Sequence, residues 1–159
     1  MKGNKKLLET LNHLLADELT AISQYMVHSE MCNSWGYEKL HKAIEKQAID
    51  EMHHAEWLIE RILFLDGTPV VSKLNPITIG KSVEEIIGND EQAETSAIRA
   101  YNNAIGLAHE VSDQSTVDLL IKILKMEEGH VDWGEIQRTQ IEQMGLSTYL
   151  GKQTESAVS

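Results

Sequence analysis

Cysteine, proline and aromatic residues are all scarce in this 159-residue chain. The single cysteine, Cys32, excludes a disulfide framework, a four-cysteine metal site and a CxxC redox motif. It suits a reducing, cytoplasmic setting. Two prolines, Pro69 and Pro76, are too few for a turn-rich all-β fold. No stretch approaches the roughly 18 uninterrupted apolar residues of a membrane span. The basic start, Met1-Lys2-Gly3-Asn4-Lys5-Lys6, runs into Glu9, Asn12 and His13 rather than a signal-peptide core. Positive charge is also short. Fourteen Lys and Arg against 25 Asp and Glu leave a formal charge of −11, which disfavours nucleic acid and anionic membrane as partners and suits cations. The length fits one domain over 1–159.

What is present is helical periodicity. Four long amphipathic stretches cover about 5–35, 38–66, 82–111 and 116–144. Gly145 is a helix stop, a short amphipathic piece follows at about 146–152, and 154–159 is a small, polar end expected to fray. Both prolines and the β-branched Val70, Val71, Ile77, Thr78 and Ile79 fall in 67–81, the one long non-helical connection. At about 3.3 Å per residue it spans some 45–50 Å, enough to pass along a helix of about 42 Å. The other connections, near 35–37 and 112–115, read as hairpin turns. Two helical hairpins joined by one long crossover predict an all-α four-helix bundle of ferritin-like topology, with a short fifth helix at the C-terminus.

Six polar residues interrupt the apolar stripes. Glu18 lies in line with Leu11, Leu14, Ile22 and Tyr25; Glu51 and His54 with Ile44, Leu58 and Ile62; Glu94 with Ile87, Ala97 and Tyr101; Glu127 and His130 with Leu120 and Ile123. Every long helix therefore turns a carboxylate inward, and two add a histidine at i+3 on the same face. Folding each hairpin at its turn brings Glu18 level with Glu51 and His54, and Glu94 level with Glu127 and His130. An offset of 76 residues maps Glu18, Glu51 and His54 onto Glu94, Glu127 and His130, and also Tyr25 onto Tyr101 and Trp57 onto Trp133. Four carboxylates converging in a core need a counter-charge. Two divalent cations supply it and use both imidazoles. A carboxylate-rich set with one histidine per metal favours iron or manganese over structural zinc. The remaining histidines, His13, His28, His41, His53 and His109, lack partners at metal-site spacing and read as surface residues.

The segments Asp17-Glu18-Leu19 with Ala21-Ile22, Ile49-Asp50-Glu51-Met52-His53-His54-Ala55, Ile62-Leu63-Phe64-Leu65, and Glu127-Glu128-Gly129-His130-Val131-Asp132-Trp133 resemble bacterioferritin over nearly the whole chain. The symmetric second Glu-x-x-His separates this pattern from ordinary ferritin chains. The resemblance implies a hollow shell of 24 subunits built from two-fold dimers, which oxidises Fe(II) with O₂ or H₂O₂ and stores Fe(III) mineral. It makes Glu18, Glu51, His54, Glu94, Glu127 and His130 the catalytic ligands of two irons per chain, with Glu51 and Glu127 bridging. It also implies haem b, one per two chains, held by Met52 and its two-fold mate, and a ferredoxin as a reductant for iron release. On the residues alone, Met52 lies off the core stripe among Ile49, Ile59 and Leu63, with Leu8, Leu15, Leu19 and Met26 on helix one. Such extra apolar stripes mark subunit contacts, and a methionine there fills gaps.

Tyr25, seven residues after Glu18, and Trp133, three after His130, are expected beside the irons. Asp50 is expected to face the cavity and bind transit iron, although Lys46 stands where the family often places a histidine that would help it. Two rival readings need no storage shell. One is a non-storing di-iron peroxidase of rubrerythrin type; the other is a haem-carrying electron-transfer bundle.

Overall fold

The computed structural model describes residues 1–156, so the last part of the expected frayed end, 157–159, lies outside the described residues. Five helices follow in order: α1 (Lys5–Ser34), α2 (Glu38–Phe64), α3 (Val83–Glu110), α4 (Gln114–Met144) and α5 (Leu146–Gln153). The all-α fold with its short fifth helix is as the periodicity predicts. Among the described residues no helix is long and apolar enough to cross a membrane. Side-chain caps fix three starts. Asn4 accepts from the Leu7 N–H, Ser82 from Glu85 and Asp113 from Thr116, satisfying amides that a helix start leaves free. The Asp113 cap starts α4 two residues earlier than the apolar pattern alone suggests. Three helix ends close alike. Gly36, Asp66 and Ser112 take φ of +83°, +59° and +59°, and the next amide returns to the carbonyl five residues back.

α1 packs against α2 and α3 against α4, and the two hairpins meet chiefly through α1 and α3. The crossover is tied to a polar row on α1. Asn12 accepts from the Val70 N–H at 2.8 Å, Thr20 from Asn75 at 2.9 Å, Gln24 from Thr78 at 3.1 Å, and the His28 Nε2 from Gly80 at 2.9 Å. The Asn75 amide also donates to Asp17 at 2.6 Å. Contacts that advance together along both segments mean that the crossover runs parallel to α1. It therefore delivers α3 beside the far end of α1.

His28 and His41 correct the sequence reading. Neither is a surface residue: His28 is fully buried and His41 nearly so. The His28 Nδ1 lies 2.8 Å from Asp90, to which Gln24 also donates at 2.9 Å. Because Nε2 accepts from Gly80, Nδ1 carries the proton. His41 is held by Ser29. Helical spacing identified the face of each ring but not the loop and neighbouring helix that cover it. Of the flanking stripe on α1, Leu15 is also inside the core, whereas Met26 is exposed.

The apolar interior forms two clusters. One contains Leu7, Leu11, Leu14, Leu58, Ile62 and Leu120; the other contains Cys32, Leu40, Ile44, Ile86, Ile87 and Tyr149. Along each of α1–α4 the six inward polar residues lie between positions of the two clusters, as a charged layer across the bundle. Glu94 lies between Ile87 and Tyr101 on α3, and Glu127 and His130 between Ile123 and the partly buried Ile141 on α4.

His28→Ala would leave Asp90 without its ring partner and the Gly80 amide without an acceptor. We expect a loss of roughly 2–4 kcal/mol, measured as the shift in denaturant midpoint. A change within about 0.5 kcal/mol, as for a surface substitution, would contradict the clamp.

Candidate metal centre

Glu18, Glu51, Glu94 and Glu127 are each 1–2 % exposed, and His54 and His130 are 0 % and 9 %. Burial to this degree is rare for carboxylates without partners. Two sets of groups, each compact enough to hold an ion, share the layer: Glu18, Glu51, His54 and Glu127, and Glu51, Glu94, Glu127 and His130. Glu51 and Glu127 belong to both. The His54 Nδ1 lies 3.2 Å from Glu127, 3.5 Å from Glu18 and 3.6 Å from Glu51. The His130 Nδ1 lies 3.0 Å from Glu51, 3.2 Å from Glu94 and 3.7 Å from Glu127. The two imidazole planes are 26° apart with centroids at 6.5 Å, facing one another across the layer.

Each tyrosine secures the other hairpin's carboxylate. The Tyr25 hydroxyl on α1 donates to Glu94 on α3 at 2.5 Å, and the Tyr101 hydroxyl on α3 donates to Glu18 on α1 at 2.5 Å. Burial, with the charge of the neighbouring carboxylates, holds both phenols well above their ordinary range, so they remain donors. Spacing from Glu18 singles out Tyr25 alone, yet Tyr101, its mate at the 76-residue offset, makes the equivalent contact. Asp50 sits behind the centre. Its Oδ2 lies 3.0 Å from the His130 Nε2 and 3.2 Å from the Lys46 Nζ. Trp133 lines a hollow with Lys46, Asp50, Met126 and His130. Met126, which the sequence reading did not single out, places its sulfur 3.3 Å from the His54 Nε2.

Among the described residues, every buried side-chain nitrogen or oxygen without a hydrogen-bond partner belongs to this layer. These atoms are Glu18 Oε2, Glu51 Oε1, His54 Nδ1, Glu94 Oε2 and Glu127 Oε1. Such atoms cost free energy unless something binds them. Five donor atoms left over at one level, oxygen-rich with imidazole nitrogen, fit divalent transition-metal ions. By contrast, the smaller Glu30, His41 and Glu45 group at the hairpin end is partly exposed and holds no such atom.

A cleft of about 370 Å³ leads to the layer. Asp17, Thr20, Gln24, Asn75, Thr78 and Asn89 line it with Glu18, Glu51, Glu94 and Glu127, so the crossover borders it. On another face, a hollow of about 160 Å³ is lined by Ile22, Met26, Ala48, Ile49 and Met52. Met52 is 44 % exposed there, and Leu63 is exposed too.

A family model described as Ferritin, Ferritin-like domain, matches residues 8–144. The bacterial ferritin of Synechocystis sp. is 43% identical, covering 96% of this chain and 99% of that protein. The bacterioferritin of Rhodobacter capsulatus is 40% identical over 91% and 90% of the two chains. The bacterioferritin of Brucella melitensis is 36% identical over 94% and 92%. The chain belongs to the bacterioferritin family. This bacterioferritin-family bundle thus encloses a layer of ionisable groups that share protons. Burial, reinforced by the charges of Glu18, Glu94 and Glu127, holds the Glu51 carboxyl well above the usual carboxylate range. Burial also pushes Glu94 up to about 7, with a hydrogen bond from His130 opposing it. For His54, burial opposes the charged ring but the Glu127 and Glu18 carboxylates, 3.2 and 3.5 Å from its Nδ1, outweigh it, lifting it to about 9. For His130, Glu94 and Asp50 do the same, again to about 9.

These four shifts share one sign: at these groups the folded chain binds more protons than the unfolded one. The contribution of the imidazoles is complete below their ordinary 6.5 and is lost as pH rises through about 9. That of Glu94 is lost between its ordinary 4.5 and about 7. Metal-free protein should therefore have a higher denaturation midpoint at about pH 6 than at about pH 9.5. Saturating Zn²⁺ should remove the decline, because cations bind the deprotonated ligands. Metal-free stability that stays flat or rises over this range would contradict the shared-proton layer.

Proposed function

We propose that the chain oxidises Fe(II) at a di-iron centre inside its own bundle and stores the Fe(III) product as mineral within a hollow 24-subunit shell, in the cytoplasm. Membership of the bacterioferritin family supports iron storage. The observation that carries the finer reading is the pair of overlapping ligand groups sharing Glu51 and Glu127. Glu18 with His54 would complete one iron, and Glu94 with His130 the other, while Glu51 and Glu127 bridge. Bound there, two Fe(II) supply two electrons, which O₂ or H₂O₂ accepts.

The chain's own groups do the rest. The cleft bordered by the crossover offers carboxylate and amide oxygens from its mouth to its floor, a route suited to a hydrated divalent cation. The imidazoles and carboxylates give up their shared protons as metal replaces them, and those protons leave the layer for solvent, since a carboxylate must be deprotonated to bind. Tyr25 and Tyr101 keep one oxygen of Glu94 and of Glu18 occupied, which leaves the other oxygen of each free for metal. The two apolar clusters exclude water above and below the layer, strengthening every charge interaction within it.

Haem b fits the second site. A thioether is soft and neutral, suited to haem iron and unsuited to replace a carboxylate in the core. Met52 is exposed beside an apolar hollow, and one methionine per chain serves both faces of a haem only across a two-fold contact. Met26, Ile49 and Leu63 are exposed as well, an apolar face that a two-fold contact would cover. The rubrerythrin-type and haem-only alternatives both leave the nearly full-length match to bacterioferritins unused.

Anaerobic titration should saturate about two fast Fe(II) sites per chain. Glu51→Ala should abolish the fast oxidation phase while leaving assembly intact. An unchanged fast phase would remove Glu51 from the centre.

Met52→Leu preserves apolar volume, so the dimer should persist. Haem absorbance should fall from about one per two chains to near zero, with Fe(II) oxidation retained. Full haem occupancy in the variant would move the axial ligand elsewhere.

A further inference from the structure

The two halves of the centre are built on one repeat, and the repeat breaks at the outer nitrogen of each histidine. The 76-residue offset that superposes the six candidate ligands also maps Asp50 onto Met126. Each stands immediately before a shared glutamate, Glu51 or Glu127, and each touches the histidine of the opposite hairpin. The His130 Nε2 meets the Asp50 carboxylate at 3.0 Å; the His54 Nε2 meets the Met126 sulfur at 3.3 Å. In both rings Nδ1 faces the carboxylate layer, so Nε2 is the outer nitrogen.

That outer contact sets what the inner nitrogen can do. A carboxylate accepting from the far N–H fixes the ring's tautomer and orientation and raises its basicity toward a metal. A thioether is a weak, neutral acceptor and supplies little of this. Asp50 is itself steadied by Lys46 at 3.2 Å, which shares the same oxygen and moderates its charge without removing it. Burial does not offset the difference. His54 is the more enclosed ring, at 0 % against 9 % exposed, so its half has less help from water as well as from a carboxylate.

Resting on the di-iron reading above, we propose that the two metal positions are unequal: the Glu94/His130 half takes its divalent cation first and more tightly than the Glu18/His54 half. Asp50 and Met126 act as positioning residues in this, touching the rings and not the metals. Changes of such outer partners typically alter metal affinity about 10–100-fold, which sets the expected separation. Repulsion between two neighbouring cations also weakens the second binding step. Repulsion alone, however, neither selects a half nor responds to residues 50 and 126.

The test uses Co²⁺, which binds without being oxidised by the assay, added anaerobically to the assembled protein. Crystals at about half an equivalent of Co²⁺ per candidate pair should show anomalous density at the His130 half, with the His54 half filling only near saturation. In solution, calorimetry should resolve two unequal steps. Asp50→Asn should weaken the first, and Met126→Asp should strengthen the second toward it. Equal anomalous peaks at low occupancy, filling of the His54 half first, or a step separation unmoved by both substitutions would overturn the inference while leaving the di-iron reading intact. Absence of core Co²⁺ binding altogether would overturn both.

Discussion

Four carboxylates and two imidazoles walled into one layer between two apolar clusters cannot be left as they are: charge in that position must be neutralised by protons or by cations. Everything else in the molecule answers to this constraint. Without metal, proton sharing lifts Glu51, Glu94 and both histidines from their ordinary values, yet five donor atoms still lack partners. A layer arranged only for stability would replace such groups with packed apolar side chains, which is commonly neutral or favourable. Retaining them is what the proposed di-iron centre requires, since its donor groups would have to converge before a cation arrives.

The fold makes that convergence rigid in two ways. First, each hairpin brings its own glutamate opposite its own Glu-x-x-His, while the tyrosines cross over to secure the other hairpin's carboxylate. The layer therefore joins the halves as well as being held by them. Second, the polar row Asn12, Thr20, Gln24 and His28 ties the crossover along α1. This fixes α3 in register with α1 and places the crossover at the border of the cleft that leads to the layer. The clamp at His28, Asp90 and Gly80 is thus a positional device for the centre as well as a source of stability.

Helix positions, the long crossover and the six convergent residues are legible in the sequence because period and level are local arithmetic. Helical spacing assigns a face, hairpin folding assigns a height, and the 76-residue offset links the halves. Partnership between hairpins is not local. Tyr25 reaches Glu94 rather than the nearer Glu18, and Tyr101 reaches Glu18, which no spacing within one helix encodes. His28 looks isolated because its partners are a loop amide and a residue on α3, reached only once the crossover lies down. The contacts of Asp50 with His130 and of Met126 with His54 were hidden for the same reason, although the offset pairs those positions. Spacing within one helix places the six convergent residues at one level, but it does not encode the groups from other elements that hold them there.

The claim that one chain builds a complete two-metal centre is tested most directly by iron-edge anomalous diffraction from crystals loaded anaerobically with Fe(II). The account predicts two peaks per chain within the layer, one bonded to His54 and Glu18, the other to His130 and Glu94, with Glu51 and Glu127 contacting both. A single peak in the layer, or two peaks of which either lies outside these six side chains, would contradict it.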